Sequence, residues 1–230
     1  MADNTLSILT PSVNNLTVRI LVRAAGLDFE ERDVWGKKDE PAFIAKDPAQ
    51  LTPLLEEEGL PNGSLWESCA IMAYLCDKHR LDHLYPQDLG ERAMVNSAMF
   101  YLIGTLYPYV ARATYPVLSF PQYAGEVATA PDADSAMKAR ARDDAEAALA
   151  KPLEAFHTFF IGDKQFIGRN APSIADIRLA ATLEFLRAID YDLPAWAEEY
   201  MTAVETALGD AYSEPASDVR GYVSSVRAPA

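Results

Sequence analysis

Cysteine is nearly missing from this chain. Only Cys69 and Cys76 occur in 230 residues. They fall in one expected helix, roughly 10 Å apart at ~1.5 Å of rise per residue, which is too far for a bridge. No CxxC occurs, so neither a structural disulfide nor a dithiol redox centre is expected within the chain. A cytoplasmic protein is the economical reading. Histidine is also scarce. His79 and His83 have a spacing that can bind metal, but no HExxH glutamate or neighbouring cysteine accompanies them, so no metal is expected. Positive charge is in deficit: 20 basic against 34 acidic residues give a net charge of −14. Such a field repels phosphate backbones and anionic lipids, which argues against nucleic acid and membrane partners. No apolar run approaches the ~18 residues of a spanning helix. The amino terminus, Met1 to Thr5, lacks a basic segment followed by an apolar one, so no signal peptide is expected. Repeats and low-complexity tracts are absent.

What is present is apolar surface. Half of the residues are hydrophobic, enough for one large core or two modest ones. Leu6 to Thr10 reads as a short strand running into the turn-rich loop Pro11-Ser12-Val13-Asn14-Asn15. From Leu16, apolar residues recur at Val18, Leu21, Val22 and Ala25, the helical period, and Gly26 supplies the stop. Phe29 to Val34 alternates apolar and charged residues as a half-buried strand does. The three make a β-α-β unit with parallel strands and a right-handed crossover. Lys37 to Lys46 reads as loop plus short helix, ended by Asp47-Pro48.

The stretch Leu51 to Asp77 follows. A Thr52-Pro53 step opens a short strand, Pro61-Asn62-Gly63 turns the chain, Ser64-Leu65-Trp66 returns as a second strand, and Glu67-Ser68 head a helix. Helix starts carry unpaired N–H groups and the positive end of the helix dipole, so this one can hold a carboxylate. Residues 1–80 thus carry the element order of a thioredoxin-like domain. Residues 81–90, with Pro86 and Gly90, read as a linker, and residues 91–230 as an all-helical domain. Within that domain, helices are expected over Glu91 to about Ala113 and Asp132 to Phe160. Pro116 and Pro121 should interrupt between them, and Pro152 should break or kink the second. Ser173 and Asp176 form a capping-box-like start to a helix over Ile174 to Ile189. Pro194 starts another through Leu208, and the tail from Ser213 is expected to be irregular.

Three patches carry a family resemblance. Ser64-Leu-Trp-Glu-Ser-Cys-Ala-Ile-Met-Ala-Tyr-Leu75 resembles the glutathione-binding signature of the cytosolic glutathione transferases. Leu84-Tyr85-Pro86, with Asp88, Arg92 and Ala93, resembles their interdomain linker. Phe166-Ile-Gly with Ser173-Ile-Ala-Asp176 resembles the capping box and staple of their core helix. The resemblance covers nearly the whole chain and implies a thioredoxin-like domain followed by an all-helical one. It also implies glutathione as co-substrate, a hydrophobic electrophile as second substrate, and a homodimer.

The residues matching the family's site imply roles. Glu67 and Ser68 would hold the γ-glutamyl end of glutathione. Thr52, before a cis Pro53, would pair backbone-to-backbone with the cysteinyl unit. Lys38 and Gln50 match positions that reach the glycine carboxylate. Leu51, beside them, stands where many members place a polar residue, and the family's Asn-Pro-x-Gly is replaced by Asp47-Pro48-Ala49-Gln50. The thiol-activating position is Ser12 by the count of the serine-using classes, and Asn14 or Asn15 by that of the Asn-using Nu class and the β-aryl etherases. A hydroxyl or amide donor there stabilises thiolate. No tyrosine or cysteine stands at that place, which disfavours the tyrosine-using and cysteine-using classes. Tyr101 and Tyr107 are the candidates for the electrophile pocket. The implied activity is glutathione addition or displacement. The alternatives are a glutathione-dependent β-etherase or disulfide reductase/peroxidase, and a non-catalytic member that keeps the fold.

Overall fold

The computed structural model describes residues 4–118, 120, 134–167 and 170–227. The interruption expected at Pro121, the helix start expected at Asp132, and the family-like Gly168 lie outside the described residues. The chain opens with β1 (Asn4–Ile8), α1 (Val13–Ala24), β2 (Glu30–Asp33) and the short α2 (Pro41–Ile44). The hairpin β3 (Leu54–Glu57) and β4 (Ser64–Trp66) follows, then α3 (Ser68–His79). The sheet order is β2-β1-β3-β4, with β1 parallel to β2 and antiparallel to β3, and β3 antiparallel to β4. This is the thioredoxin-like arrangement. β1 is central, and its Leu6, Ser7 and Ile8 are all buried. β2 is an edge strand and does not show the expected half-burial: Glu30, Arg32 and Asp33 are exposed, while Phe29 and Val34 flank the strand. The edge needs charge rather than apolar residues, because one side of its ladder faces water.

The remainder is helical. α4 (Leu89–Tyr101) and α5 (Tyr107–Leu118) form one continuous run joined by a π turn over Leu102–Leu106. The turn has a local cause. Pro108 has no N–H to give the carbonyl of Gly104, and the ladder widens so that the Tyr107 N–H reaches the Leu102 carbonyl instead. α6 (Ser135–Phe156) continues through a second π turn over His157–Ile161. Then come α7 (Ile174–Leu183), a 3-10 turn over Glu184–Ala188, α8 (Ala195–Leu208) and α9 (Asp210–Arg227).

Three expectations for the helical part are corrected: the interruption at Pro116, the break at Pro152 and the irregular tail. α5 runs through Pro116 and α6 runs through Pro152, neither of which ends its helix. The tail is not irregular from Ser213 but belongs to α9, with Pro215 inside it. Its buried residues Tyr212, Ala216, Val219 and Val223 recur at helical spacing. Arg220 adds ion pairs to the buried Glu184 on the 3-10 turn and to Glu205 on α8. Tertiary packing of this size outweighs the roughly 3 kcal/mol that an interior proline costs.

α7 is the axis of the molecule. All ten of its residues are buried, and it packs against α1, α3, α4 and α8. Its start is the expected capping box. Asp176 accepts from the Ser173 N–H (2.7 Å), the Ser173 hydroxyl (2.6 Å), the Ile167 N–H (2.9 Å) and the Tyr200 hydroxyl. One apolar core joins β1, α1 and α3 to α4 through α9.

Candidate active site

The sheet topology gathers three loops. β3 runs antiparallel to β1, so its beginning lies beside the end of β1, with Leu54 opposite Ser7. The end of β4 lies there too, with Trp66 opposite Leu54. The loop into α1, the Thr52–Pro53 step before β3 and the Glu67–Ser68 start of α3 therefore meet at one edge of the sheet. The Thr52–Pro53 peptide is cis. The amino ends of two long helices, α1 and α3, serve this edge with free N–H groups.

At the first of these, Ser12 is the N-cap of α1 and is 7% exposed. Its backbone does the capping work: its N–H donates to the Leu9 carbonyl (3.0 Å) and its carbonyl accepts from the Leu16 N–H (2.9 Å). Its hydroxyl caps nothing. Both neighbouring amides are engaged. Asn14 Nδ2 donates to the Tyr107 hydroxyl at 2.9 Å, and Asn15 Nδ2 donates to Thr52 Oγ1 at 3.0 Å. Asn15 thus ties α1 to the cis-proline loop, and Asn14 ties it to α5.

At the third loop, Glu67 adopts φ +77°, the left-handed region that a non-glycine residue enters at a cost of about 1–3 kcal/mol. Its side chain is exposed and caps nothing, while Ser68 is buried as the first residue of α3. A strained acid at a helix start, with its carboxylate left in solvent, is a geometry held for something other than capping.

The Asp47–Leu51 segment completes the rim. Asp47 is fully buried and accepts from the N–H groups of Ala49 (2.9 Å) and Leu51 (2.8 Å). A carboxylate here builds the loop as an Asx-type turn, so the Asp47 departure leaves a formed loop. Lys38 Nζ donates to the Gln50 carbonyl at 2.9 Å. Burial lowers the Lys38 pKa, with Asp47 pulling the other way. Gln50, at φ +56°, and Leu51 are exposed.

Tyr107, delivered by the π turn, closes the inner side. Its hydroxyl lies 2.5 Å from that of Tyr115, two turns along α5. Burial pushes its pKa up, against the Arg178 charge and the hydrogen bonds with Tyr115 and Asn14, so it remains a phenol near neutrality. Beyond Tyr115 an aromatic wall continues through Phe120 (centroids 5.5 Å apart), which stacks on Tyr222 (5.6 Å) and meets Trp35 (6.1 Å). Trp35 is half exposed on the loop after β2. Tyr101 is not part of this assembly. It faces Phe156 and Phe160, and its hydroxyl approaches the Pro152 carbonyl at 3.5 Å.

Neither cysteine has the makings of a nucleophile. Burial raises the thiol pKa of Cys69 and pushes that of Cys76 to about 12. Among the described residues no group of three or more His, Cys, Asp or Glu could hold a metal, and no helix is long and apolar enough to cross a membrane.

Residues 5–77, the segment that builds this edge, match the family model of the glutathione S-transferase N-terminal domain. A curated relative, glutathione S-transferase D7 of Anopheles gambiae, is 29% identical over 192 residues, 82% of this chain and 78% of the relative. Residues 5–77 are thus a glutathione S-transferase N-terminal domain, and the chain as a whole is similar to cytosolic glutathione S-transferases. The likeness to solved glutathione transferases spans both parts of the molecule. A delta-class glutathione transferase of Nilaparvata lugens superposes with a TM-score of 0.72 at 26% identity, covering 97% of this chain and 99% of that one. The apo form of human glutathione S-transferase T1-1 gives 0.81 at 24% identity, covering 96% and 91%, a likeness of fold alone.

In this chain the residues singled out from sequence fall into three groups. Ser12, Asn14, Asn15, Thr52, Pro53, Glu67, Ser68 and Tyr107 come together. Lys38, Gln50 and Leu51 form the rim beside them. Tyr101 stands apart, against α6. Sequence reasoning passed over Tyr115, although its distance of two helical turns from Tyr107 put both on one face. It also passed over Arg178, although a lone charge in the apolar run Ile174–Leu183 was a visible signal.

Proposed function

We propose that this protein binds glutathione along the edge formed by Thr52–Pro53 and Glu67–Ser68 and uses Ser12 to hold its sulfur as thiolate. The Thr52 backbone pairs with the cysteinyl unit as an added strand would. Ser68 and the α3 N–H groups receive the γ-glutamyl carboxylate, and the exposed Glu67 carboxylate faces its ammonium. Lys38, with Gln50 and Leu51, borders the glycine end. The observation that carries the choice of Ser12 is the commitment of its neighbours. The Asn14 and Asn15 amides already point at Tyr107 and Thr52, whereas the Ser12 hydroxyl has no capping duty.

The thiol proton leaves to solvent as Ser12 donates a hydrogen bond to the sulfur. The thiolate then bonds to an electrophilic carbon, adding across an activated double bond or expelling a leaving group that departs with its electron pair. The electrophile lies against the aromatic wall that begins at Tyr107. The protein acts in the cytoplasm as a homodimer. The exposed Leu51, Trp66, Leu89 and Phe100 are large apolar side chains that a partner subunit would cover.

The test compares Ser12→Ala with Asn14→Ala in turnover of a generic aryl halide. Ser12→Ala is expected to lose about 100-fold or more in kcat, the usual cost of one donor on a developing anion. Loss confined to Asn14→Ala would instead assign the thiol contact to the amide and favour etherase or reductase chemistry.

A further inference from the structure

Arg178 is the largest fully buried side chain of the described residues, 1% exposed in the middle of α7. Among those residues it pairs with no carboxylate, and its Nε and Nη1 are enclosed without a hydrogen-bond partner. An unmatched guanidinium in a core is expensive. What surrounds it is the inner wall of the candidate site. Its Cζ lies 4.7 Å from the centroid of the Tyr107 ring, the ring whose hydroxyl accepts from Asn14 in the first turn of α1. Its charge also acts on the Cys69 thiol, one residue past Ser68 in the first turn of α3. The titratable groups its charge acts on are Tyr107 from α5 and Cys69 from α3. Glu67 acts on Tyr107 and Cys69 with the opposite sign to Arg178.

From this arrangement we infer that Arg178 is a positioning residue whose buried charge, held against the Tyr107 ring that anchors Asn14, favours the glutathione thiolate. The inference rests on the glutathione reading above. The guanidinium lies over the ring whose hydroxyl Asn14 holds, two residues along α1 from Ser12, so Tyr107 links the charge to the first turn of α1. A unit charge roughly 10 Å from the sulfur, at an effective dielectric of about 20, shifts a thiol pKa by about one unit. Arg178 does not touch the substrate. It also fixes Asn14 through the Tyr107 ring, which a stacked cation holds in place.

The experiment is an ultraviolet titration of the thiolate of bound glutathione, at saturation, in the wild type, Arg178→Met and Arg178→Lys, with folding checked by circular dichroism. The wild type should titrate below free glutathione, Arg178→Met about one unit higher than the wild type, and Arg178→Lys close to the wild type. Glutathione affinity should change less than threefold. A folded Arg178→Met protein that titrates as the wild type does overturns the inference, as does an Arg178→Lys protein that titrates like Arg178→Met. If Arg178→Met does not fold, Arg178→Gln takes its place: titration about one unit above the wild type supports the inference, and titration with the wild type overturns it. A wild type that leaves the thiol pKa of glutathione unmoved sinks the glutathione reading itself, which separates the two failures.

Discussion

Ser12 and Asn14 stand two residues apart on one helical turn, and the difference between them is what else each side chain must do. An amide that donates to Tyr107 at 2.9 Å holds α1 to α5, so removing it loosens the wall of the site. A hydroxyl with no capping duty is free to meet a ligand. Asn15→Ala is accordingly expected to act through the Thr52 loop: it should raise KM for glutathione several-fold with a smaller change in kcat, measured by steady-state kinetics. This is the scale at which sequence was most and least informative. The meeting of Thr52, Glu67 and Ser68 at one edge was legible because a single local strand–turn–strand–helix pattern carries all three. The choice among Ser12, Asn14 and Asn15 was not, because it depends on Tyr107 and Thr52, contacts 93 and 37 residues away. Tyr101 and Tyr107 looked alike in sequence. A π turn lies between them, and it sends one ring to α6 and the other to α1.

Among the elements, α7 determines most. Its capping box and apolar run were legible as a buried helix start, since Ser173 and Asp176 satisfy each other locally. Asp176 also holds Ile167 and Tyr200, so it joins the preceding loop and α8 to the same point. Asp176→Ala leaves those buried donors unmatched and should cost about 3 kcal/mol, roughly 10 °C in Tm, by calorimetric unfolding. Ser173→Ala removes less and should cost about 1 kcal/mol. The helices misjudged from sequence contain proline. Pro116 and Pro152 read as breaks because local preference disfavours them inside helices, and the tail that carries Pro215 read as irregular. The packing that overrides them is distant: Tyr222 on α9 donates to the Leu118 carbonyl on α5 at 2.7 Å, and Arg220 reaches Glu184 and Glu205.

Across the whole molecule, α9 fastens the helical part onto the sheet part. Arg19 of α1 is nearly buried and bridges Glu31 of β2 (3.0 Å) and Asp218 of α9 (2.8 Å), with Arg23 also on Glu31. Burial raises the Glu31 pKa, but the Arg23 hydrogen bond and the charges of Arg19 and Arg23 outweigh it, leaving the carboxyl below its ordinary 4.5. A depressed carboxylate stabilises the fold above its unfolded pKa, and that stability is lost as pH falls through the folded value. Tm should therefore hold steady down to about pH 5 and decline below 4.5, and Glu31→Gln should lower the plateau and flatten the decline. On α4, a charge at the 71%-exposed Phe100 tests assembly: Phe100→Glu should halve the mass measured by light scattering at micromolar concentration.

The central claim is that this edge of the sheet binds glutathione and ionises it. The most direct measurement is the pH dependence of thiolate absorbance for glutathione with one equivalent or more of the wild-type protein, against the same titration of glutathione alone. The expected result is an apparent pKa moved well below the ordinary thiol value of about 8.5, and moved back towards it by Ser12→Ala. Superimposable titrations with and without protein would contradict the claim.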